Sequence, residues 1–431
     1  MSFLNLNNTK KILYFLVLIF PLIIVLKSAA INIALIFISL ISILLIVKKQ
    51  DLFFKDYFIK FIIIFLGFVF INSLFQFYNT ETVIKSLGNF RYLFLTFAVF
   101  ITLKNISKIN YFLFIYLNLI LIILIGLDIL YQYNFNKNVF GLMPGMCDTN
   151  LENCVRFSGV FGSELIAGGY LSQIGLLIFF LIKDNKKFNE NKFYQIIINT
   201  FILFLFLIIL LTGERNALLI FIICISLSFF LQKKIRIVSF LISNVAFLVI
   251  LLLISQNSHS IKARYINFLN ISSVKIDSSI VKKITNTPWG YHYQAGFELF
   301  LEKPLVGHGY KSFRFKCSET KIDKDTVANK DKYKNYRACS SHPHSYVVEF
   351  LSENGIVGFL FFIIFLFIIC SKIIKSRKYF KNDYIAIGIG SLIVAILFPF
   401  KPSGSFFSTF NASILFYLLG FFLYYTRELK K

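Results

Sequence analysis

CSSHPHSYVVEFLSENGIVG, running from Cys339 to Gly358, marks the place where the chain changes character. Behind it lies a long polar segment, Ser255 to Ser345, which holds all five histidines: His259, His292, His308, His342 and His344. Ahead of it, and again through residues 1–254, the sequence is a succession of apolar runs. Many of these reach the roughly 17–25 residues needed to cross a hydrocarbon core of about 30 Å. A polar, histidine-bearing insert between apolar runs is the pattern of a membrane protein whose chemistry sits in one external loop.

Composition agrees. The 431 residues are 57% hydrophobic and 15% charged, with 7 prolines and a mean hydropathy of +0.73, which excludes an ordinary soluble globule. The 55 Phe accompany a general excess of Ile, Asn and Lys, so single aromatics carry little weight. The hydropathy pattern predicts an all-α polytopic fold of about twelve transmembrane helices. They are expected at Ile12 to Leu26, Ala29 to Val47, Phe58 to Phe77, Thr82 to Leu103, Tyr111 to Tyr133, Leu165 to Ile182, Phe193 to Leu211, Ala217 to Leu231, Ile237 to Ile254, Ile356 to Ser371, Tyr384 to Phe398 and Ala412 to Tyr425. Three regions follow: helices one to nine in 1–254, a large and partly helical periplasmic loop in 255–345, and helices ten to twelve in 346–431. The first apolar run lacks a small-residue cleavage site and reads as a membrane helix.

The formal charge of +24 does not indicate nucleic acid, because the basic residues sit in short clusters between apolar runs. Alternate connections carry them: Lys10 and Lys11, Lys48 to Lys60, Lys104 and Lys108, Lys183 to Lys192, Lys233 to Arg236, Lys372 to Lys381, and Arg427 to Lys431. The positive-inside rule then puts both termini in the cytoplasm and the histidine segment outside. Cys147 and Cys154 share one external loop, and Cys317 and Cys339 share the long one, as disulfides in an oxidising compartment require. No cysteine and histidine spacing suggests a metal site.

Within the long segment, WGYHYQAGFELFLEKPLVGHGYKSFRFKC reads as an amphipathic helix from about Tyr291 to Glu302, stopped by Pro304, followed by a turn at Gly307 and Gly309 and a short helix near Lys311 to Phe315. Arg215 sits in LLTGERNALLIF, at a tight turn between two apolar runs. An arginine there costs about 2.5–3.5 kcal/mol on insertion scales, so it has a partner or a function. Either Glu214 neutralises it, or its guanidinium fork binds phosphate oxygens. Arg91 in GNFRYLFL has the same two readings. His344, just before an apolar run, places an imidazole with an ordinary pKa of about 6.5 at the mouth of the bundle. His292 faces either water or the site, and His308 is a turn residue between two glycines. Asp128 and Gln132 share a helix face, and the carboxylate is expected to pair with an arginine of a neighbouring helix.

Four stretches together resemble the O-antigen ligase and O-antigen polymerase family of bacterial envelopes: RFSGVFGSELIAGGYL from Arg156, LLTGERNALLIF around Arg215, GFELFLEKPLVGHGYKSF, and HPHSYVVEFLSENGIVGF from His342. FPFKPSGSFFSTFNA from Phe398 extends the resemblance toward the carboxyl end. The resemblance implies a bacterial inner-membrane glycosyltransferase that needs no nucleotide sugar, metal or other cofactor. Its donor would be a glycan on undecaprenyl diphosphate, and its acceptor lipid A-core for a ligase or another lipid-linked repeat for a polymerase. His344 would activate the acceptor hydroxyl and Arg215 would hold the diphosphate, with inversion at the anomeric carbon. Arg91, Arg156, His292, Arg314 and His342 are the candidate contacts to diphosphate or glycan. The chain departs from the family in having Ser345 where asparagine commonly follows the motif histidine, and in lacking an arginine on the loop helix before the Pro-Leu-x-Gly turn. His292 and Trp289 stand nearest that place, and Arg156, Arg264 and Arg314 are the possible substitutes. A lipid-linked sugar transporter or flippase is the alternative of another class. Against it, the two halves show no matching Gly or Pro breaks.

Overall fold

The computed structural model describes residues 6–48, 52–147, 154–183, 191–231, 237–266, 287–330, 336–379 and 384–428. Of the basic connections, Lys49, Lys186, Lys187, Lys233, Lys234, Arg236, Lys381, Lys430 and Lys431 lie outside the described residues. Helix occupies each of the twelve expected apolar stretches, and no strand occurs among the described residues beyond one isolated bridge between Met146 and Arg156. In chain order the helices are α1 (Leu6–Leu18), α2 (Phe20–Val25), α3 (Lys27–Lys48), α4 (Tyr57–Phe75), α5 (Thr80–Gly88), α6 (Phe90–Asn105), α7 (Lys108–Phe135), α8 (Ala167–Lys183), α9 (Lys192–Leu211), α10 (Arg215–Leu231) and α11 (Ile237–Asn257). After the polar segment's α12 (Pro288–Glu302) and α13 (Lys321–Ala328) come α14 (Tyr346–Tyr379), α15 (Tyr384–Leu397) and α16 (Thr409–Glu428).

Among the described residues, seven helical segments are long and apolar enough to cross a membrane: 27–47, 57–75, 80–105, 110–135, 192–211, 346–376 and 409–426. The chain is therefore a multi-pass membrane protein. Shorter apolar helices cover 167–183, 215–231, 247–256 and 384–397. The expected first helix is two pieces, α1 and α2, and Lys27 at φ 69 turns the chain into α3. Polar residues just outside the apolar runs set the starts. The side chains of Asp56, Asn79, Ser107, Asn191 and Thr287 each accept a backbone N–H in the first turn of α4, α5, α7, α9 and α12. Asp56 also pairs with the buried Lys372 at 3.2 Å, tying α4 to α14.

In the core α6 packs between α3 and α16, and α15 packs between α10 and α14. A cluster of Phe65, Phe350, Phe361, Phe362, Phe406 and Phe407 joins α4, α14 and the segment before α16 through stacked, tilted and edge-on ring contacts.

α14 begins at Tyr346 and consists of two helices that meet at a kink at Gly355 (φ 62); the second starts at Ile356, where the tenth apolar helix is expected. The kink frees backbone groups, and the PLVGHG turn satisfies them. Ile356 N–H donates to the Pro304 carbonyl at 2.8 Å, His308 N–H to Ser352 at 3.1 Å, and Gly309 N–H to Glu353 at 2.8 Å. A Cβ at Gly355 would strike the Leu305 carbonyl, so both the positive φ and the close approach require glycine. Asn72 of α4 donates to the Val306 carbonyl at 2.8 Å and closes the joint. The Pro-Leu-x-Gly turn and the Glu-Asn-Gly sequence are thus two halves of one contact that docks α12 onto α14.

The polar segment builds its own small core from Tyr291, Ala295, Leu299, Phe313, Cys317 and Ala338. The expected helix near Lys311 to Phe315 is one turn at Phe313–Lys316, and α13 follows where none was expected. Buried Asp323 on α13 accepts from Cys339 N–H at 3.1 Å and faces Arg337 at 3.4 Å. Disulfides join Cys317 to Cys339 and Cys147 to Cys154 in the structure.

Candidate active site: three histidines beside three arginines

The docking of α12 on α14 brings three histidines together. The ring centroids of His342 and His344 lie 4.1 Å apart, and those of His292 and His344 5.1 Å apart. His292 Nδ1 donates to the Ala338 carbonyl at 2.7 Å, which fixes the neutral tautomer with its lone pair on Nε2. His344 has φ 56, a left-handed conformation that costs a non-glycine residue about 1–3 kcal/mol. It is held there by Ser403 N–H, which donates to the His344 carbonyl at 2.9 Å. The loop carrying Ser403 is in turn clamped by Glu349, one turn into α14, whose carboxylate accepts from Ser405 Oγ and from Phe406 N–H at 2.9 Å.

A cavity of about 640 Å³ opens beside His342 and His344, lined by Arg156, Arg215, Arg264 and Trp289. Arg215 reaches it because Gly213, at φ 66 and against the Val155 carbonyl, allows the turn between α9 and α10 to close tightly. Arg215 Nε donates to the Arg264 carbonyl at 2.7 Å, and Arg264 Nε donates to the Gly213 carbonyl at 3.0 Å. The Arg215 guanidinium also lies 5.9 Å from the Trp289 ring centroid. Arg156 enters from the segment before α8, and its buried Nε has no hydrogen-bond partner. Glu214 does not take the neutralising role toward Arg215 that its position suggested. Its carboxylate accepts from Gly168 N–H at 2.9 Å and Gly169 N–H at 3.1 Å at the start of α8.

Like charges gather here, and burial amplifies them. Burial first, and then Arg215 and Arg156, bring the Arg264 guanidinium down to about 10. Burial pushes the Glu214 carboxyl up to about 7 against the pull of Gly168 N–H and Arg156. Burial and the neighbouring imidazoles hold His344 down to about 3, and burial, His292 and Arg314 hold His342 down to about 4. At neutral pH the histidines are therefore uncharged bases, and the arginines form a cationic wall beside them.

A second cavity of about 450 Å³ adjoins the first and shares His342, Glu214, Asn216 and Gly404 with it. Arg314 lines this second cavity with Lys311 and Gln173. Arg91 is brought to neither. It donates to Tyr92 Oη at 2.9 Å and lies over that ring. His292 touches the histidine cluster but lines neither of these two cavities, and His308 is bound to the Leu299 carbonyl at 3.0 Å. Asp128 does not meet the expected arginine but accepts from Asn138 Nδ2 at 3.2 Å and Val139 N–H at 3.0 Å. Gln132 accepts from Ser158 N–H and Gly159 N–H, both at 2.9 Å. Both are structural staples of the loop after α7. Sequence reading weighed Arg264 only as a substitute, and it passed over Gln173, Asn216, Lys311 and Glu349, which carry no motif of their own. Among the described residues no three His, Cys, Asp or Glu side chains converge to hold a metal.

Residues 200–363 match the family model described as O-antigen ligase. No curated protein matches the chain. The matched span contains Arg215, Arg264, Trp289 and all three clustered histidines, and so supplies most of the walls just described. Residues 200–363, then, are similar to the O-antigen ligase family.

Proposed function

We propose that the protein transfers a glycan from undecaprenyl diphosphate to an acceptor hydroxyl at the periplasmic face of the bacterial inner membrane, as an O-antigen ligase does. The observation that carries this reading is the meeting of three arginines with two neutral histidines at one cavity. The arginine forks match the two phosphates of the carrier, and they stabilise the negative charge that grows on the leaving group. The acceptor O–H attacks the anomeric carbon as the bond from that carbon to the phosphate oxygen breaks. The hydroxyl proton passes to the His342–His344 pair, with His344 as the base named by its motif position, and undecaprenyl diphosphate departs. Imidazoles with such low pKa values are weak bases in the empty cavity. A bound diphosphate next to them raises their basicity, so the base strengthens when donor is present. The alternating basic connections and the paired external cysteines support the periplasmic placement.

The test is a lipopolysaccharide gel together with analysis of carrier-linked glycan, in the source bacterium lacking the gene and complemented with wild type or His344→Ala. Bare lipid A-core with long glycan stranded on the carrier is the expected result. Core bearing a single repeat would instead mean a polymerase that joins lipid-linked units. An unchanged ladder with no stranded glycan in the deletion strain would refute transfer to lipopolysaccharide.

A further inference from the structure

The second cavity has the chemistry of a sugar site and not of a second phosphate clamp. Gln173 is 4% exposed, and its Oε1, like Asn216 Oδ1, is buried without a hydrogen-bond partner. Both residues line this cavity. A buried acceptor left unsatisfied costs about 1–3 kcal/mol, which a hydroxyl donor entering the cavity would recover. Gln173 sits in a single π-helical turn, Leu171–Gly175, inside α8. Such turns interrupt regular helix, and they are frequent at functional sites.

The remaining walls narrow the ligand. Phe410 presents an aromatic ring, and the carboxylates of Glu164 and Glu214 also face the space. Glu164, which the arginine cavity lacks, disfavours a multiply charged phosphate cluster here but accepts hydroxyl donors. Lys311 and Arg314 supply cationic groups at the same wall. Lys311 is held at φ 56 by its N–H, which donates to Glu353 at 2.7 Å. His342 divides this cavity from the arginine cavity, and its buried Nε2 has no partner.

We infer that the second cavity is the acceptor-sugar subsite, and that it selects a pyranose carrying one anionic substituent. The hydroxyls donate to Gln173 and Asn216, the ring lies against Phe410, and the carboxylate or phosphate meets Lys311 and Arg314. This rests on the transferase reading. It adds that the two substrates meet across His342, with the leaving diphosphate on one side and the attacking hydroxyl on the other.

The test uses the full chain in nanodiscs and ligand-observed saturation-transfer NMR with methyl glucoside, methyl glucuronoside and methyl glucoside 6-phosphate. One acidic glycoside should bind about tenfold tighter than the neutral one, the size of one charge-assisted pair, and which of the two does so tells carboxylate from phosphate. Arg314→Gln, at an exposed side chain, should remove that preference, and Gln173→Leu should weaken all three glycosides. Both variants should still bind undecaprenyl diphosphate, which Arg215→Gln should not. Equal binding of the three glycosides, or loss of acidic glycoside in Arg215→Gln with no loss in Arg314→Gln, would overturn the inference. Failure of wild type to bind undecaprenyl diphosphate would overturn the transferase reading whatever the glycosides do.

Discussion

Arg156→Gln separates a functional arginine from a structural one. The Arg156 Nε is buried without a partner, so the substitution breaks no hydrogen bond at that atom. It removes an attraction to Glu214 and, at the same time, a repulsion on Arg264. These terms oppose each other, so the stability of the unliganded protein should change by less than about 1 kcal/mol. Donor binding should respond differently. A guanidinium that meets a phosphate oxygen makes a charge-assisted hydrogen bond of about 1.5–3 kcal/mol, and hence a loss of roughly 10- to 150-fold in affinity. The assay pairs thermal unfolding of the purified protein with titration of undecaprenyl diphosphate in nanodiscs. Affinity within twofold of wild type would refute the placement of the diphosphate against Arg156. A large drop in unfolding temperature without ligand would show instead that Arg156 is a structural ion.

Other outcomes follow from the same geometry. The histidine resonances of the unliganded protein should show two imidazoles that stay neutral from pH 8 to pH 5, and pyrophosphate should shift their titration upward; ordinary titration near 6.5 would sink the buried-base reading. For these groups the folded pKa lies below the unfolded one, so the unfolded state binds more protons between about 6.5 and the folded values of about 3 and 4. Their contribution to stability is therefore present above 6.5 and is lost as pH falls, and His342→Gln/His344→Gln should flatten that acid limb. Gly355→Ala should destabilise by about 2 kcal/mol or more, through the left-handed conformation and the collision with Leu305, and a variant as stable as wild type would contradict the docked joint. Alkylation with and without reductant should reveal two external disulfides by mass, and four freely reacting thiols in the unreduced protein would refute them. Glu349→Gln should slow transfer at unchanged donor affinity, because it loosens the Ser403–Phe406 loop that holds His344, while Glu349→Asp should restore part of the rate.

Much of the fold was legible because hydropathy is a local sum. Each apolar run had to become helix, since a backbone surrounded by lipid must satisfy its own hydrogen bonds. Arg215, His342 and His344 stood out because polar residues at the edge of apolar runs demand a reason. Other features depended on partners far away in sequence. The meeting of the two helices of α14 rests on the PLVGHG turn filling the kink at Gly355, and no window of sequence around Tyr346 reports that contact. Sequence likewise offered Glu214 as one of two explanations for Arg215, whereas the turn at Gly213 aims the carboxylate at Gly168 and Gly169.

The sequence by itself determined a multi-pass α-helical membrane protein, similar over residues 200–363 to the O-antigen ligase family, with its histidines gathered in one polar segment. Only the tertiary structure decided which arginines share the cavity. Arg156, Arg215 and Arg264 come from three separate segments: the backbone carbonyls of Gly213 and Arg264 lock the last two together, and Arg156 packs beside Gly213. It also set Arg91 apart against Tyr92 and put Gln173 in a second polar space, since helix rotation and loop docking are fixed by long-range packing and not by the residues on either side.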